Sequence, residues 1–271
     1  MRIVYFGNNM FSSCLKYLIK DGFEIERVYI NSPDFTSSAI SKLCETHQIP
    51  LFKNKPMSEE LEHLISMGVE MFIVAEYLHI LPETNVKYAI NIHPSMLPNG
   101  RGPTPLPYLL KYPEHSGVTI HKLTNVVDGG DVILQSDVPI QKNESITTVM
   151  VKMHIEAVNL LKTFLSDVEC HYENAKPQSE YSYFPLIDIT ERMLDWKQST
   201  QHISSKIRSY GFIGVVLKLN NRLWNAKHLE TVEYGHHYDA GKVIYEDEYL
   251  LVISSSDGIV CVHKYSLSLI D

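Results

Sequence analysis

Apolar positions in the first half of the chain change period several times. Arg2–Phe6 is a short β-rich run that stops at Gly7. Phe11, Cys14, Leu15, Leu18 and Ile19 then recur at three- and four-residue spacing up to Asp21-Gly22. A period near two followed by one near 3.6 predicts a strand and then a helix. Ile25–Ile30 repeats the strand pattern and ends at Asn31-Ser32-Pro33. Ser37–His47 predicts a helix, Ile49–Phe52 a short strand, and Ser58–Ser66 a helix opened by a serine cap. Met71–Ala75 and Ala89–Ile92 read as buried strands. Strands interleaved with helices predict an α/β fold with a doubly wound, mostly parallel sheet.

After Gly117 the pattern shifts. Val118–Leu123 and Val132–Val138 predict strands separated by the turn Asp128-Gly129-Gly130. Ile146, Val149, Met150, Met153, Ala157, Leu160, Leu161 and Phe164 keep helical spacing over five turns, which predicts a core-facing stripe. Residues 166–189 are polar and aromatic without a period and are expected to run over the surface. A helix is predicted at His202–Ser209, followed by strands at Val215–Leu219, Arg222–Ala226, Lys242–Tyr245, Leu250–Ser254 and Ile259–Tyr265. Short strands this closely spaced predict a small β-rich domain, an open barrel or sandwich. The expected division is a catalytic domain over 1–185 and a small domain over 190–271.

Composition narrows the class without choosing a function. The chain has 271 residues, 44% of them apolar and 21% charged, which excludes disordered and collagen-like chains. No apolar run approaches the roughly 20 residues that span a bilayer. The opening MRIVYFGNNMF is too short and polar for a secretory signal, so a cytoplasmic protein is expected. Cys14, Cys44, Cys170 and Cys261 are scattered, without a CxxC pair or zinc spacing, so reduced thiols and no metal are expected. The formal charge of -8 lacks the basic footprint of nucleic-acid binders.

Three segments carry candidate chemistry. Gly7-Asn8-Asn9 follows the first strand, but GxGxxG is missing and no acidic residue closes the second strand, which argues against a dinucleotide. A turn that opens a helix N-terminus, able to receive an anion, fits it better. In Ile90-Asn91-Ile92-His93-Pro94, a strand carries Asn91 and His93 on one face and delivers them to its carboxyl end, where open α/β sheets place ligands. Either residue alone would fit a satisfied strand end; the pair, followed by the Pro/Gly-rich loop Pro98–Pro107, favours a site. Val126-Val127-Asp128-Gly129-Gly130-Asp131 is a turn by itself and gains weight only in combination with the other two.

INIHPSMLP, RGPTP and GVTIHKL…VVDGGDVI, in this order, resemble the folate-dependent formyltransferases. That family includes glycinamide ribonucleotide, methionyl-tRNA and nucleotide-linked amino-sugar formyltransferases. Asp195-Trp196 and Ile207-Arg208, with the β-rich segment after them, resemble the linker and open-barrel C-terminal domain of two-domain members. The resemblance places Asn91, His93 and Asp128 on the catalytic triad. It places Ala75, Tyr77, Leu78, Ile80, Ser95, Leu97 and Asp131 on the side of the donor, 10-formyltetrahydrofolate. Met96 stands where relatives carry Leu, and Asn99-Gly100 precede Arg101 where relatives carry bulkier or basic residues.

The residue types suit the implied chemistry. An amide N–H on Asn91 can stabilise an oxyanion, His93 can accept the proton of an attacking amine, and Asp128 can orient the imidazole. Spacing does not say whether His93 or Asp128 is the kinetic base. Asn8, Asn9 and Arg101, with Tyr5, are candidates for contact with the acceptor.

Charge bears on which acceptor is used. Methionyl-tRNA members carry a basic loop after the second strand and a basic C-terminal domain. Here Asn31–Ile40 has no Lys or Arg, and Thr190–Asp271 holds nine Lys/Arg against ten Asp/Glu, a net of −1. The glycinamide ribonucleotide enzyme is a single domain. The expectation is therefore a dTDP- or UDP-linked amino-dideoxy sugar as acceptor, no nucleic acid and no membrane, with a homodimer formed through the C-terminal domain. The alternatives are methionyl-tRNA formyl transfer, or non-catalytic binding of folate or a nucleotide sugar.

Overall fold

A computed structural model describes residues 1–270; Asp271, the last residue of the expected C-terminal domain, lies outside the described residues. The chain divides into two compact units. The first comprises Met1–Pro139 and Met150–Pro185, the second Ile140–Val149 and Leu186–Asp271.

The first unit runs β1 (Arg2–Gly7), α1 (Ser12–Lys20), β2 (Glu24–Tyr29), α2 (Ser38–His47), β3 (Leu51–Phe52), α3 (Ser58–Ser66), β4 (Val69–Ala75), β5 (Tyr88–His93), α4 (Leu106–Leu109), β6 (Gly117–Lys122) and β7 (Val132–Asp137). The long helix α5 (Ile146–Ser166), whose first turn belongs to the second unit, and the short α6 (Val168–Glu173) follow. The strands form one seven-stranded sheet in the order β3-β2-β1-β4-β5-β6-β7. β1 to β5 pair in parallel, while β6 and β7 turn the far edge antiparallel. The expected mostly parallel, doubly wound sheet is therefore present. Strand order reverses between β1 and β4, which opens a crevice at their carboxyl ends.

Burial holds this frame together. Val4, Phe6, Tyr29, Phe72 and Val74 pack with Leu61 and Leu64 of α3 in one apolar cluster. Phe6 and Tyr29 stack at 5.0 Å between ring centroids. Each such side chain contributes about 1.5–3 kcal/mol when fully buried. In α5 the residues Ile146, Val149, Met153, Ala157, Leu161 and Phe164 are all fully buried, as their spacing predicts.

The segment after α5 departs from expectation. Residues 168–173 are helical, and the chain beyond them folds back on the sheet. Lys176 exchanges backbone hydrogen bonds with Val132, and Arg101 does so with Ser182 and Phe184. The polar composition of 166–189 therefore reflects hydrogen bonding to a sheet edge as well as solvation.

The second unit contains α7 (Ile189–Arg192), α8 (Thr200–Tyr210), and β8 (Val215–Leu219), β9 (Arg222–Ala226), β10 (Leu229–Glu233), β11 (Val243–Glu246), β12 (Leu250–Ser254), β13 (Gly258–His263) and β14 (Leu267–Ile270). They form two antiparallel sheets, β10-β13-β12-β11 and β14-β9-β8. Ile203, Val215, Leu217, Leu229, Ile253, Val260 and Val262 share their core. Two strands exceed the expected five. The run expected as Ile259–Tyr265 ends at His263, and a 3-10 turn at Lys264–Ser266 leads into β14. Among the described residues no helix is long and apolar enough to cross a membrane.

Candidate active site

Asn91 and His93 lie on β5 with their side chains on the same face, because strand side chains alternate. The antiparallel partner β6 sets His121 opposite Asn91 and Thr119 opposite His93. Asp128 comes from the turn between β6 and β7. Its carboxylate reaches into the same corner: Asn91 Nδ2 donates to Asp128 Oδ1 at 3.1 Å, and His93 Nδ1 lies 3.5 Å from that oxygen. The amide, imidazole and carboxylate expected to act together therefore share one carboxylate oxygen.

Backbone conformation makes this approach possible. Asp128 has φ +48°, a left-handed conformation that side chains other than glycine seldom adopt. Strain of this kind collects at functional sites and needs surrounding bonds to hold it. Gln178 Nε2 supplies them by donating to both the Asp128 and Gly130 carbonyls at 2.8 and 2.6 Å. Gly130 must be glycine, since a Cβ there would lie 1.9 Å from the Lys122 carbonyl oxygen. The Gly102 N–H donates to Asp128 Oδ2 at 2.8 Å, so both carboxylate oxygens have a donor.

Hydrogen bonding also fixes the imidazoles. His93 is 5% exposed, and its Nε2 lies 2.8 Å from the Gly100 carbonyl, a contact that requires N–H at Nε2. Nδ1 of neutral His93 is then a bare lone pair facing Asp128. Burial lowers the His93 pKa below the usual imidazole value, and Asp128 offsets this only in part. Burial opposes the Asp128 carboxylate, but positive charge on the His93 and His121 rings when they are protonated, with the Gly102 N–H, outweighs it and holds the carboxyl well below its usual range. At neutral pH the pair is neutral imidazole plus carboxylate. A proton arriving at Nδ1 would create an ion pair with Asp128, so this nitrogen is built to accept one.

His121 is nearly as buried, with 2% exposure. Its Nδ1 donates to the Lys122 carbonyl at 2.8 Å, which leaves Nε2 to accept from Asn91 Nδ2 at 3.1 Å. Both N–H bonds of Asn91 are therefore engaged, one by Asp128 and one by His121. An oxyanion must replace one of these acceptors. The spacing of GVTIHKL assigns His121 no role; its position opposite Asn91 depends on the antiparallel register of β6.

The other predicted residues divide by what remains available. The Ala75 carbonyl accepts from Asn8, and the Leu78 N–H donates to Asn31 Oδ1. The backbone groups of Tyr77 and Ile80 make no hydrogen bond among the described residues. Leu78 and Ile80 are exposed, an apolar ledge that suits a flat heterocycle with amide-like edges. Ser95 is fully buried and its hydroxyl donates to the Asn99 carbonyl at 2.8 Å, so it shapes the 95–100 turn. Leu97 is buried, its N–H donating to Thr119 Oγ1 and its carbonyl accepting from Gln135. Asp131 lies 3.7 Å from Lys122 Nζ at the partly exposed mouth of the turn.

Among the acceptor candidates, Tyr5 is fully buried and its hydroxyl donates to the Phe11 carbonyl. Asn9 is committed to the loop before α2, donating to the Phe35 carbonyl and accepting from the Ala39 N–H. Asn8 is buried, its Oδ1 accepting from the Asn31 N–H. The Arg101 guanidinium is 7% exposed, donates twice to Gln178 Oε1 and lies 4.2 Å from the Tyr181 ring centroid. It braces the residue that braces Asp128. Next to this corner, Tyr108, Lys111, Tyr112, His115, Ser182, Tyr183 and Phe184 line a cavity of about 380 Å³. The Tyr108 and Phe184 rings stack at 4.7 Å, and Ser182 Oγ accepts from the Gly100 N–H.

The chain is similar to known proteins in sequence and in fold. Residues 24–165 match the formyl transferase family and residues 186–268 match the formyl transferase C-terminal domain. The chain is 26% identical to the methionyl-tRNA formyltransferase of Streptococcus equi subsp. equi over 95% of its length and 88% of the relative's. It is 30% identical to that of Thermotoga sp. strain RQ2 over 78% of its length and 72% of the relative's. In fold, it matches HypX from Aquifex aeolicus in complex with tetrahydrofolic acid with a TM-score of 0.75 and 19% identity, covering 97% of this chain and 43% of HypX. It also matches WlaRD, a sugar 3N-formyl transferase solved with dTDP and 5-N-formyl-THF, with a TM-score of 0.66 and 21% identity over 97% of both chains. The N-formyltransferase from Helicobacter canadensis, solved with folinic acid and dTDP-3-aminofucose, gives a TM-score of 0.65 and 21% identity over 97% of this chain and 98% of that one. With its Asn91, His93 and Asp128 gathered at the edge of a sheet that this family shares, the chain belongs to the formyl transferase family.

Proposed function

We propose that this protein is a folate-dependent N-formyltransferase that moves the formyl group of 10-formyltetrahydrofolate to the amine of a dTDP- or UDP-linked amino-dideoxy sugar. The convergence of Asn91, His93 and Asp128 on one carboxylate oxygen carries the reaction class. The donor supplies an activated formyl carbon. The open backbone groups at Tyr77 and Ile80, with Leu78 and Ile80 exposed beside them, fit its pterin ring. Ala75, Ser95, Leu97 and Asp131 shape the surroundings of that ledge and of the loop facing it.

The residues divide the work as follows. Asn91 turns an N–H to the oxygen on which negative charge develops, a donor whose loss typically costs about 10²–10³ in rate. His93 accepts at Nδ1 a proton from the attacking nitrogen, and Asp128 stabilises the resulting imidazolium. His93 then returns the proton to the departing nitrogen of the donor. Gln178 and Arg101 keep Asp128 in place during these transfers.

Charge supports a small acceptor over a polyanion. The protein carries a formal charge of -8, its C-terminal segment is not basic, and the loop after β2 has no Lys or Arg. The aromatic cavity beside Gly100 suits a nucleobase. A homodimer formed through the β-rich unit is part of this proposal; a monomer in light scattering would remove it. The second reading, methionyl-tRNA formylation, is favoured by the sequence relatives. Incubation of the enzyme and 10-formyltetrahydrofolate with dTDP- and UDP-linked 3-amino- and 4-amino-dideoxy sugars, and separately with methionyl-tRNA, discriminates between the two. Formamide product from a sugar supports the proposal, and transfer to methionyl-tRNA alone overturns it.

A further inference from the structure

Glu76 is a second, part-buried acid at the carboxyl edge of the sheet, and the triad does not use it. It follows Ala75, which pairs with Gly7 of β1 on one side and with Ile92 of β5 on the other. Its carboxyl therefore stands in the crevice where strand order reverses, one strand from His93. The backbone at Glu76 is left-handed, with φ +65°. Asn31 holds that conformation from both sides, donating to the Glu76 carbonyl at 3.3 Å and accepting from the Leu78 N–H at 2.9 Å.

One carboxyl oxygen, Oε2, accepts from the Met10 N–H at 2.7 Å, and Oε1 makes no hydrogen bond among the described residues. No Lys, Arg or His nitrogen pairs with the group among the described residues. Its titratable surroundings are Tyr5 on β1, Cys14 behind Tyr5 on α1, and His154 of α5 at the Met10 carbonyl. Burial pushes its carboxyl up to about 7, against the bond from Met10. The N–H groups entering α1 would ordinarily attract an anion, yet here a resident carboxylate already takes one of them.

We propose that Glu76 docks the protonated amine of the acceptor and takes one of its protons, delivering the free amine to the formyl carbon. In this step one N–H bond of the ammonium breaks and an O–H bond forms on the carboxylate, leaving a neutral amine and a neutral carboxyl. The amine nitrogen forms the new C–N bond, its second proton goes to His93 and on to the departing donor nitrogen, and Glu76 releases its proton to solvent. The inference rests on the proposed amino-sugar acceptor.

Calorimetric titration tests it with two probes, a dTDP-linked 4-amino-4,6-dideoxyhexose and the dTDP-linked 6-deoxyhexose bearing a hydroxyl at that carbon. The wild-type protein should bind the amine about 10–100-fold more tightly at pH 8. That preference should fade as Glu76 protonates below about pH 7. Glu76→Gln, which keeps an acceptor for Met10, and Glu76→Ala should both bind the two probes alike at every pH. Equal binding of both probes by the wild-type protein, or an unchanged preference in Glu76→Gln, overturns the role of Glu76 while leaving the acceptor reading intact. Binding of neither probe overturns both.

Discussion

Two part-buried carboxyl groups at one sheet edge have opposite environments. Asp128 receives a hydrogen bond on each oxygen, so it stays ionised despite burial, and it faces an imidazole that can take up a proton. Glu76 receives one hydrogen bond and faces no cation, so burial raises its pKa to about 7. Carboxyl groups pushed apart in this way take different roles in proton transfer. Asp128 is suited to support a charge that forms on His93, and Glu76 is suited to gain or lose a proton near neutral pH.

The largest expected effect follows from breaking the Asp128 side. His93→Ala should lower the rate of formyl transfer by about 10²–10⁴-fold, measured under single-turnover conditions, with the fold unchanged by circular dichroism. A variant with wild-type turnover would remove His93 from the chemistry. Asp128→Asn keeps the shape and loses the charge, so its rate should fall within the same range.

Stability against pH sharpens the contrast. The Glu76 pKa is raised above its ordinary value of 4.5, so its contribution to stability is complete below that pH and is lost as pH rises to about 7. Denaturant titrations should show wild type losing up to about 3 kcal/mol relative to Glu76→Gln across that window. The Asp128 pKa is lowered from 3.8, so its contribution is present above that value and is lost as pH falls. Asp128→Asn should therefore remove an acid-side loss, tilting the curve in the opposite sense. Parallel curves for the two variants would contradict the division of roles.

A smaller effect is expected at Gln178. Truncation to Ala leaves the buried Arg101 N–H groups and the Asp128 and Gly130 carbonyls without their partner, a cost of about 1–3 kcal/mol in unfolding titrations. Turnover should fall because Asp128 loses its brace, with little change in KM. Ser95→Ala should be milder still, about 1 kcal/mol, since it removes the hydroxyl that ties the 95–100 turn together. Unchanged stability in both variants would show that the loop holds its shape without them.

Much of this arrangement is legible along the chain because it is local. Asn91 and His93 two apart on an apolar strand, the buried stripe of α5 and the turn at Asp128-Gly129-Gly130 need only neighbouring residues to be read. What escapes depends on distant pairing. His121 gains its position from strand register, and Gln178 and Ser182 lie in a polar stretch whose lack of period reads as solvent exposure. Glu76 sits in a strand-end conformation that its side chain gives no hint of adopting. β10 and β14 are short strands whose identity depends on partners in sheets formed elsewhere in the second unit.

The most direct test is a crystal structure with a stable folate donor analogue bound. The formyl carbon should lie at the corner formed by Asn91, His93 and Asp128, with its oxygen within hydrogen-bonding reach of the Asn91 amide and the pterin against Tyr77–Ile80. A donor bound elsewhere on the molecule, or a formyl group beyond the reach of all three side chains, would contradict the assignment.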